Sequence, residues 1–273
     1  MVFPVFRTRK TRGYFMFGWF RKKSKPTQSV KKHVSLDEAS IPADVVVYAI
    51  GDIHGRADLL EKKLVKILAD PVLPSQNKTV VYLGDLVDRG LKSKHVIDLI
   101  LDQQKAGLRQ IWLMGNHEEF MLRFLDDPEN SLEWLGYGGA ETLLSYNVSV
   151  AAGAFNNAKA VKASEDLRVA MADAGHDRFI ADFRDSYELG DYLFVHAGID
   201  PERPIAGQGS DILRWIREPF LSHAAPLAKV VIHGHTVGDE PVVRHNRIGL
   251  DTGAYYSNKL TCLRLEGRGY RFL

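Results

Sequence analysis

The chain has a single cysteine, Cys262. No internal disulfide can therefore staple it, and the composition fits a reducing compartment such as the cytoplasm. No apolar run approaches the roughly 18 residues that a bilayer-spanning helix needs, which excludes a polytopic membrane protein. There is no glycine or proline excess of the collagenous or low-complexity kind: 23 glycines and 11 prolines occur in 273 residues. Hydrophobic content of 45% and charged content of 26% exclude a mostly disordered chain. A chain of this length can bury a core without staples. A large charge of one sign is missing as well. Lys plus Arg number 36 and Asp plus Glu 34, a formal +2, so nucleic acid is not an expected partner.

That balance is uneven along the chain. Residues 1–33 hold ten basic residues and no acid; the first acid is Asp37. The remainder carries 26 basic residues against 34 acidic ones and is net acidic. Tyr14, Phe15, Phe17, Trp19 and Phe20 cluster inside the basic stretch. The apolar segment is short, and more lysines follow where a signal peptide would be cleaved. Residues 1–41 read as a flexible arm and residues 42–273 as the catalytic domain. A plain tail, or a chain start at Met16, accounts for the arm. So does contact with an anionic membrane surface or an acidic partner.

The domain opens as alternating strands and helices. Val45–Ile50 is an apolar, β-branched run stopped by Gly51. Residues 57–69 place Leu60, Leu64, Ile67 and Leu68 on one helical face, and Asp70-Pro71 ends that helix. Thr79–Leu83 is a second strand, residues 93–105 a second helix, and Gln110–Met114 a third strand. Such alternation builds parallel βαβ units. Residues 119–187 have a helical pattern, and residues 242–272 alternate as strands and are expected to form the second sheet of the fold.

Chemistry-bearing residues cluster where the strands end, the place at which parallel sheets put their functional groups. The first strand is followed by Gly51-Asp52-Ile53-His54-Gly55, the second by Gly84-Asp85-Leu86-Val87-Asp88-Arg89-Gly90, and the third by Gly115-Asn116-His117-Glu118. Two later strands end in His196-Ala197-Gly198 and His233-Gly234-His235-Thr236. A lone strand-end His is usually structural, and an isolated Gly-Asp is usually a turn. Five such ends in one chain point to a single cluster. Carboxylate, imidazole and amide oxygen together suit first-row metals such as Mn, Fe or Zn. Asp52 and His54 are two apart, so an extended backbone aims both the same way.

The series GDIHG, GDLVDRG, GNHE, HAG and GHT resembles the phosphoprotein phosphatase branch of the calcineurin-like metallophosphoesterases. Trp134 with Gly138-Gly139, Leu213–Arg217 and Asp251–Ala254 resemble its bacterial members. Tyr137 departs from them, since Asn often precedes the paired glycines there. The resemblance implies an α/β fold, an α/β/β/α sandwich of two mixed sheets flanked by helices, with residues 119–187 as a helical cap. It implies two divalent metal ions, Mn²⁺ or else Fe or Zn. Asp52, His54 and Asp85 would hold one; Asp85, Asn116, His196 and His235 would hold the other. His117 would be the general acid, oriented by Asp88, while Arg89, Arg217 and Asn116 would bind the substrate phosphate. His233 shares a strand face with His235 and is left as a supporting group. Trp134, Tyr137 and Tyr146 are candidates for the substrate rim or for packing. His95, His176, His223 and His245 have no supporting pattern.

The implied activity is a serine/threonine protein phosphatase that uses a metal-activated hydroxide for in-line attack. The alternative is a symmetrical bis(5'-nucleosyl)-tetraphosphatase, whose branch typically has Gln where this chain has His54. A pseudoenzyme that docks through its basic arm is disfavoured, because every implied ligand is present. Oligomeric state leaves no trace in the sequence.

Overall fold

The computed structural model of the protein describes residues 33–149 and 156–273. The sequence dictates buried strands first. In β1 (Val45–Ile50) every residue is buried. Val46, Tyr48 and Ile50 face one core, and Val47 and Ala49 face another. A strand apolar on both faces must lie inside a layered stack. β1 pairs in parallel with β2 (Asn77–Tyr82), and β2 with β3 (Arg109–Trp112). The connections are α1 (Ala57–Ala69) and α2 (Ser93–Lys105), which match the expected ranges. α1 buries Leu60, Leu64 and Ile67 against the sheet. It stops at Asp70, whose extended backbone suits the following Pro71.

The cap region is helical. It comprises α3 (Asn116–Asp126), α4 (Ala140–Ser145), α5 (Asn157–Ala174) and α6 (His176–Ala181). The chain then enters a second sheet through β4 (Ser186–Leu189) and β5 (Tyr192–Val195). α7 (Ser210–Trp215), β6 (Val230–His233), β7 (Val242–Val243), β8 (Arg247–Gly249), α8 (Ala254–Ser257), β9 (Cys262–Glu266) and β10 (Gly269–Phe272) follow. The first sheet has the order β10-β9-β1-β2-β3 and the second β4-β5-β6-β8-β7. Both mix parallel and antiparallel pairs. Their facing surfaces enclose Val47, Ala49, Val81, Leu83, Phe194 and Ile232. Helices cover the outer face of the first sheet; Leu213 of α7 and Phe220 cover that of the second. The expected α/β/β/α sandwich is present.

Two expectations change. Residues 242–272 were assigned together to the second sheet, yet only β7 and β8 join it. β9 turns back antiparallel to β1, and β10 pairs with β9. Asp70 fixes that hairpin: it accepts from Tyr48 Oη (2.7 Å) and Arg264 Nε (2.6 Å), and it pairs with Arg271. The domain boundary also moves. Val34, Leu36, Ala39 and Ile41 are buried in the core between the sheets, and Val34 bridges to Leu227. The folded part therefore reaches back into the segment expected to be arm, where Val34, Leu36, Ala39 and Ile41 supply apolar side chains. The basic stretch of residues 1–32 lies outside the described residues. No helix among the described residues is long and apolar enough to cross a membrane.

Candidate active site

All five strand-end segments converge. Asp52, His54, Asp85, Arg89, Asn116, His117, Arg217 and His235 line one cavity of about 450 Å³. His196, fully buried, stands behind it with Nε2 3.5 Å from Asp85 Oδ1. Every sequence-predicted site residue is thus placed at or against one cavity except Asp88, which is buried beneath it as a partner of His117.

The local backbone explains the convergence. His54, Asp85, Asp88, Arg89 and His235 all have positive φ, between 47° and 72°. This region is sparsely populated by residues other than glycine, and such strain gathers at functional sites. Asp52 and His54 are therefore not aligned by an extended strand, as the two-residue spacing suggested. β1 ends at Ile50, and a turn delivers both groups. Asn116 and His117 occupy the first turn of α3. Gly115 precedes them for lack of room: a Cβ there would come within 2.2 Å of Asp85 Oδ1.

One residue holds the Asp85 loop in shape. Glu118 is fully buried and accepts backbone N–H bonds from Asp85 (2.8 Å), Leu86 (2.7 Å), Val87 (3.2 Å) and Gly115 (3.0 Å). Burial and the nearby Asp85 push its carboxyl up to about 7. The motif contained Glu118, but nothing in the residue types distinguished a loop anchor from a ligand.

The donor set fits divalent cations. His196 Nδ1–H donates to the Leu83 carbonyl (2.8 Å), which leaves Nε2 as a bare lone pair in the neutral ring. That lone pair faces Asn116 Oδ1 at 2.9 Å and Asp85 Oδ1 at 3.5 Å. Acceptors aimed at one another call for a cation between them. His54 repeats the pattern: Nδ1–H donates to the Val87 carbonyl (2.9 Å), and Nε2 stands 3.5 Å from Asp85 Oδ2. Burial holds His54 and His235 down to about 3, so both rings stay neutral, as ligation requires. His235 Nδ1 lies 2.8 Å from Asn116 Oδ1, while its Nε2 is buried without a partner. Asp85, His196 and His235 form one cluster whose ligand atoms lie within 4.8 Å of one another. His54, Asp85 and His117 form a second, with Asp85 common to both. Asp52 is not in that tight group. Its carboxylate accepts the His235 N–H (3.0 Å) on the cavity wall, and burial beside Asp251 and Asp85 raises it well above the usual carboxylate range.

His117 is held from behind. Its Nδ1–H donates to Asp88 Oδ2 (2.7 Å), so Nε2 faces the cavity, where Arg89 Nη2 reaches it at 3.2 Å. Burial alone would lower the His117 pKa, but the Asp85 and Asp88 carboxylates outweigh burial and raise it. Asp88 is fixed in turn by Trp134 Nε1–H (2.8 Å) and Thr142 Oγ1–H (2.7 Å). Trp134 is fully buried and so does not belong to the rim. Tyr146 is buried too, 2.7 Å from His176 Nδ1. Tyr137 does lie at the rim, stacked on Phe120 (centroids 5.2 Å apart) and lining the cavity with Trp215. His233 is buried away from the cavity lining, with its ring 3.3 Å from Arg247 Nη1 and against Phe220. Asp251 lines the cavity and was not singled out; the only signal was its place in a resembling segment.

Trp134→Phe keeps an aromatic ring, smaller than the indole, and removes the donor to Asp88. It is expected to lower kcat about 3–10-fold, the rate equivalent of one hydrogen bond of roughly 1 kcal/mol. Metal content, measured by plasma mass spectrometry, should not change.

A two-sheet sandwich whose strand ends gather imidazole, carboxylate and amide donors beside two guanidiniums is the architecture of a metal-dependent hydrolase of phosphate esters. A family model described as calcineurin-like phosphoesterase matches residues 45–243, and the chain belongs to that family. Among its relatives, an asymmetrical bis(5'-nucleosyl)-tetraphosphatase, PrpE, of Oceanobacillus iheyensis is 29% identical over 236 residues, 81% of this chain and 89% of the relative. A serine/threonine-protein phosphatase 1 of Salmonella typhimurium is 34% identical over 93 residues, covering 34% of this chain and 38% of that protein. A solved cold-active protein tyrosine phosphatase has a similar fold at 18% identity and a TM-score of 0.55, covering 87% of this chain and 82% of that one. Members of the family use a dinuclear metal centre. When bound, two divalent ions activate water for attack and offset the charge of the phosphate.

Proposed function

We propose that the protein is a phosphomonoesterase acting on phosphoserine and phosphothreonine side chains of proteins, with Mn²⁺ as the working metal, in the cytoplasm. His54, Asp52 and Asp85 would hold one ion, and Asp85, Asn116, His196 and His235 the other. Arg89 and Arg217, together with Asn116, orient the phosphoryl group; a planar guanidinium matches its non-bridging oxygens. Once Arg89 turns to the phosphoryl group, the protonated His117 ring gives its Nε2 proton to the departing alkoxide, and Asp88 keeps the ring turned for that transfer.

The observation that carries this reading is the charge supply of the cavity. Among the described residues that line it, the only permanently cationic side chains are Arg89 and Arg217. Two guanidiniums suit one phosphoryl group better than a chain of four phosphates.

A second reading has a specific observation behind it. Relatives matched over about four-fifths of this chain, 81% and 79%, are named as asymmetrical, not symmetrical, bis(5'-nucleosyl)-tetraphosphatases. Side-by-side kinetics of the Mn²⁺-loaded protein decide between the two. kcat/KM is expected to be at least about tenfold higher on a phosphothreonine peptide than on diadenosine tetraphosphate. The reverse order would replace the first reading with the second.

A further inference from the structure

A second pocket, of about 470 Å³, adjoins the catalytic cavity. The two share Arg89 and Tyr137. The rest of its lining includes Tyr255, Glu141, Leu135 and Gly138. Its position relative to the reaction follows from His117. The group that protonates the leaving oxygen must face it, and Arg89 Nη2 lies 3.2 Å from His117 Nε2. Arg89 also forms a wall of the second pocket, so that pocket lies on the leaving-group side.

The junction is built rather than incidental. The Arg89 guanidinium lies over the Tyr255 ring, 4.7 Å from its centroid. The Arg89 backbone N–H donates to the Gly138 carbonyl (3.2 Å). A Cβ at Gly138 would approach the Arg89 nitrogen to 2.3 Å, and the φ of +106° there suits only glycine. The turn of residues 135–139 is thereby clamped to the arginine that meets the phosphate.

Charge decides what the pocket takes. Once a phosphoryl group occupies Arg89, the remaining formal charge in the pocket is the Glu141 carboxylate. Among the described residues, no hydrogen bond or ion pair engages that carboxylate. Tyr137, 52% exposed, and Tyr255, 39% exposed, line the same pocket; one face of Tyr137 is taken by Phe120 and one of Tyr255 by Arg89. A carboxylate flanked by tyrosine rings recognises a cation, through an ion pair and cation–π contact.

The geometry points to a leaving-group subsite in which Glu141, with Tyr137 and Tyr255, selects phosphopeptides that carry a lysine or arginine near the phosphorylated residue. This rests on the phosphoprotein reading. The test uses the full chain loaded with Mn²⁺ and phosphothreonine peptides that differ only in having Arg, Ala or Glu at positions next to the phosphothreonine. The wild-type protein is expected to prefer the Arg peptide over the Ala peptide about 2–5-fold in kcat/KM, the size of a partly exposed charge pair. Glu141→Gln should bring that ratio close to one, and Glu141→Lys should turn the preference toward the Glu peptide. Because each ratio is taken within one variant, any general loss of activity cancels. Ratios that are the same in all three proteins would overturn the subsite while leaving the phosphoprotein reading standing. Turnover of p-nitrophenyl phosphate without turnover of any phosphopeptide would overturn both.

Discussion

Asp85→Asn is expected to cost the site most of its metal and to lower turnover by on the order of 10³-fold or more. The effect should exceed the 10–100-fold typical of losing a partner one layer out from a metal. Asp85 is the carboxylate common to both donor clusters, with Oδ2 3.5 Å from His54 Nε2 and Oδ1 3.5 Å from His196 Nε2. An amide at that position offers a neutral oxygen to one cluster and an NH₂ group to the other. The backbone of the loop should survive, because Glu118 holds it through main-chain N–H groups. Asn Oδ1 can still accept the His117 N–H that Asp85 Oδ1 now receives at 3.0 Å. Metal analysis and a thermal melt on the same preparation check both parts. A variant with wild-type metal content would show that Asp85 does not join the two clusters.

His117→Ala tests the other half of the chemistry and should behave differently. Loss of a general acid typically lowers kcat about 10²–10⁴-fold. Metal content should stay at the wild-type level, because His117 is committed through Nδ1 to Asp88 at 2.7 Å. The competing outcome is a real one. His117 Nε2 is 4.0 Å from Asp85 Oδ2, and its ring centroid is 4.6 Å from that of His54. If His117→Ala loses metal, His117 is a ligand and Asp52 is not its equal in that cluster. A substrate with a better leaving group, such as p-nitrophenyl phosphate, should be hurt less than a phosphothreonine peptide, since its departure needs less protonation.

Much of the site was legible because its chemistry lies in short segments that follow buried strands. The apolar runs of β1 and β5 and the ranges of α1 and α2 could be read directly, since burial on two faces or on one helical stripe imposes its own pattern. The five motif segments then followed as the places where those strands stop. Pairing was not legible. Alternation marks 262–266 and 269–272 as strands, but a period of two does not say which sheet receives them; the Asp70 ion pairs with Arg264 and Arg271 do, and they are long-range. Nor was the role of buried polar groups. Trp134 read equally as a rim aromatic or a packing residue, and only the 2.8 Å bond to Asp88 makes it part of the His117 support. Asp251 and Glu118 are acids of the same apparent kind in sequence. One lines the cavity and the other ties four amides together.

Residues 34–41 were missed for a related reason. Val34, Leu36, Ala39 and Ile41 are too few and too mixed with polar neighbours to show a period, yet each finds a place between the sheets. The folded part thus includes Val34, two residues along the chain from Lys32, where the basic run ends.

Phosphate-ester hydrolysis by this chain is expected to depend on a metal centre joined by Asp85. The most direct measurement is phosphate release from a phosphothreonine peptide by chelator-stripped protein titrated with Mn²⁺. Release is expected to be negligible without metal and to rise to saturation near two equivalents per chain. Undiminished release from the stripped protein would contradict it.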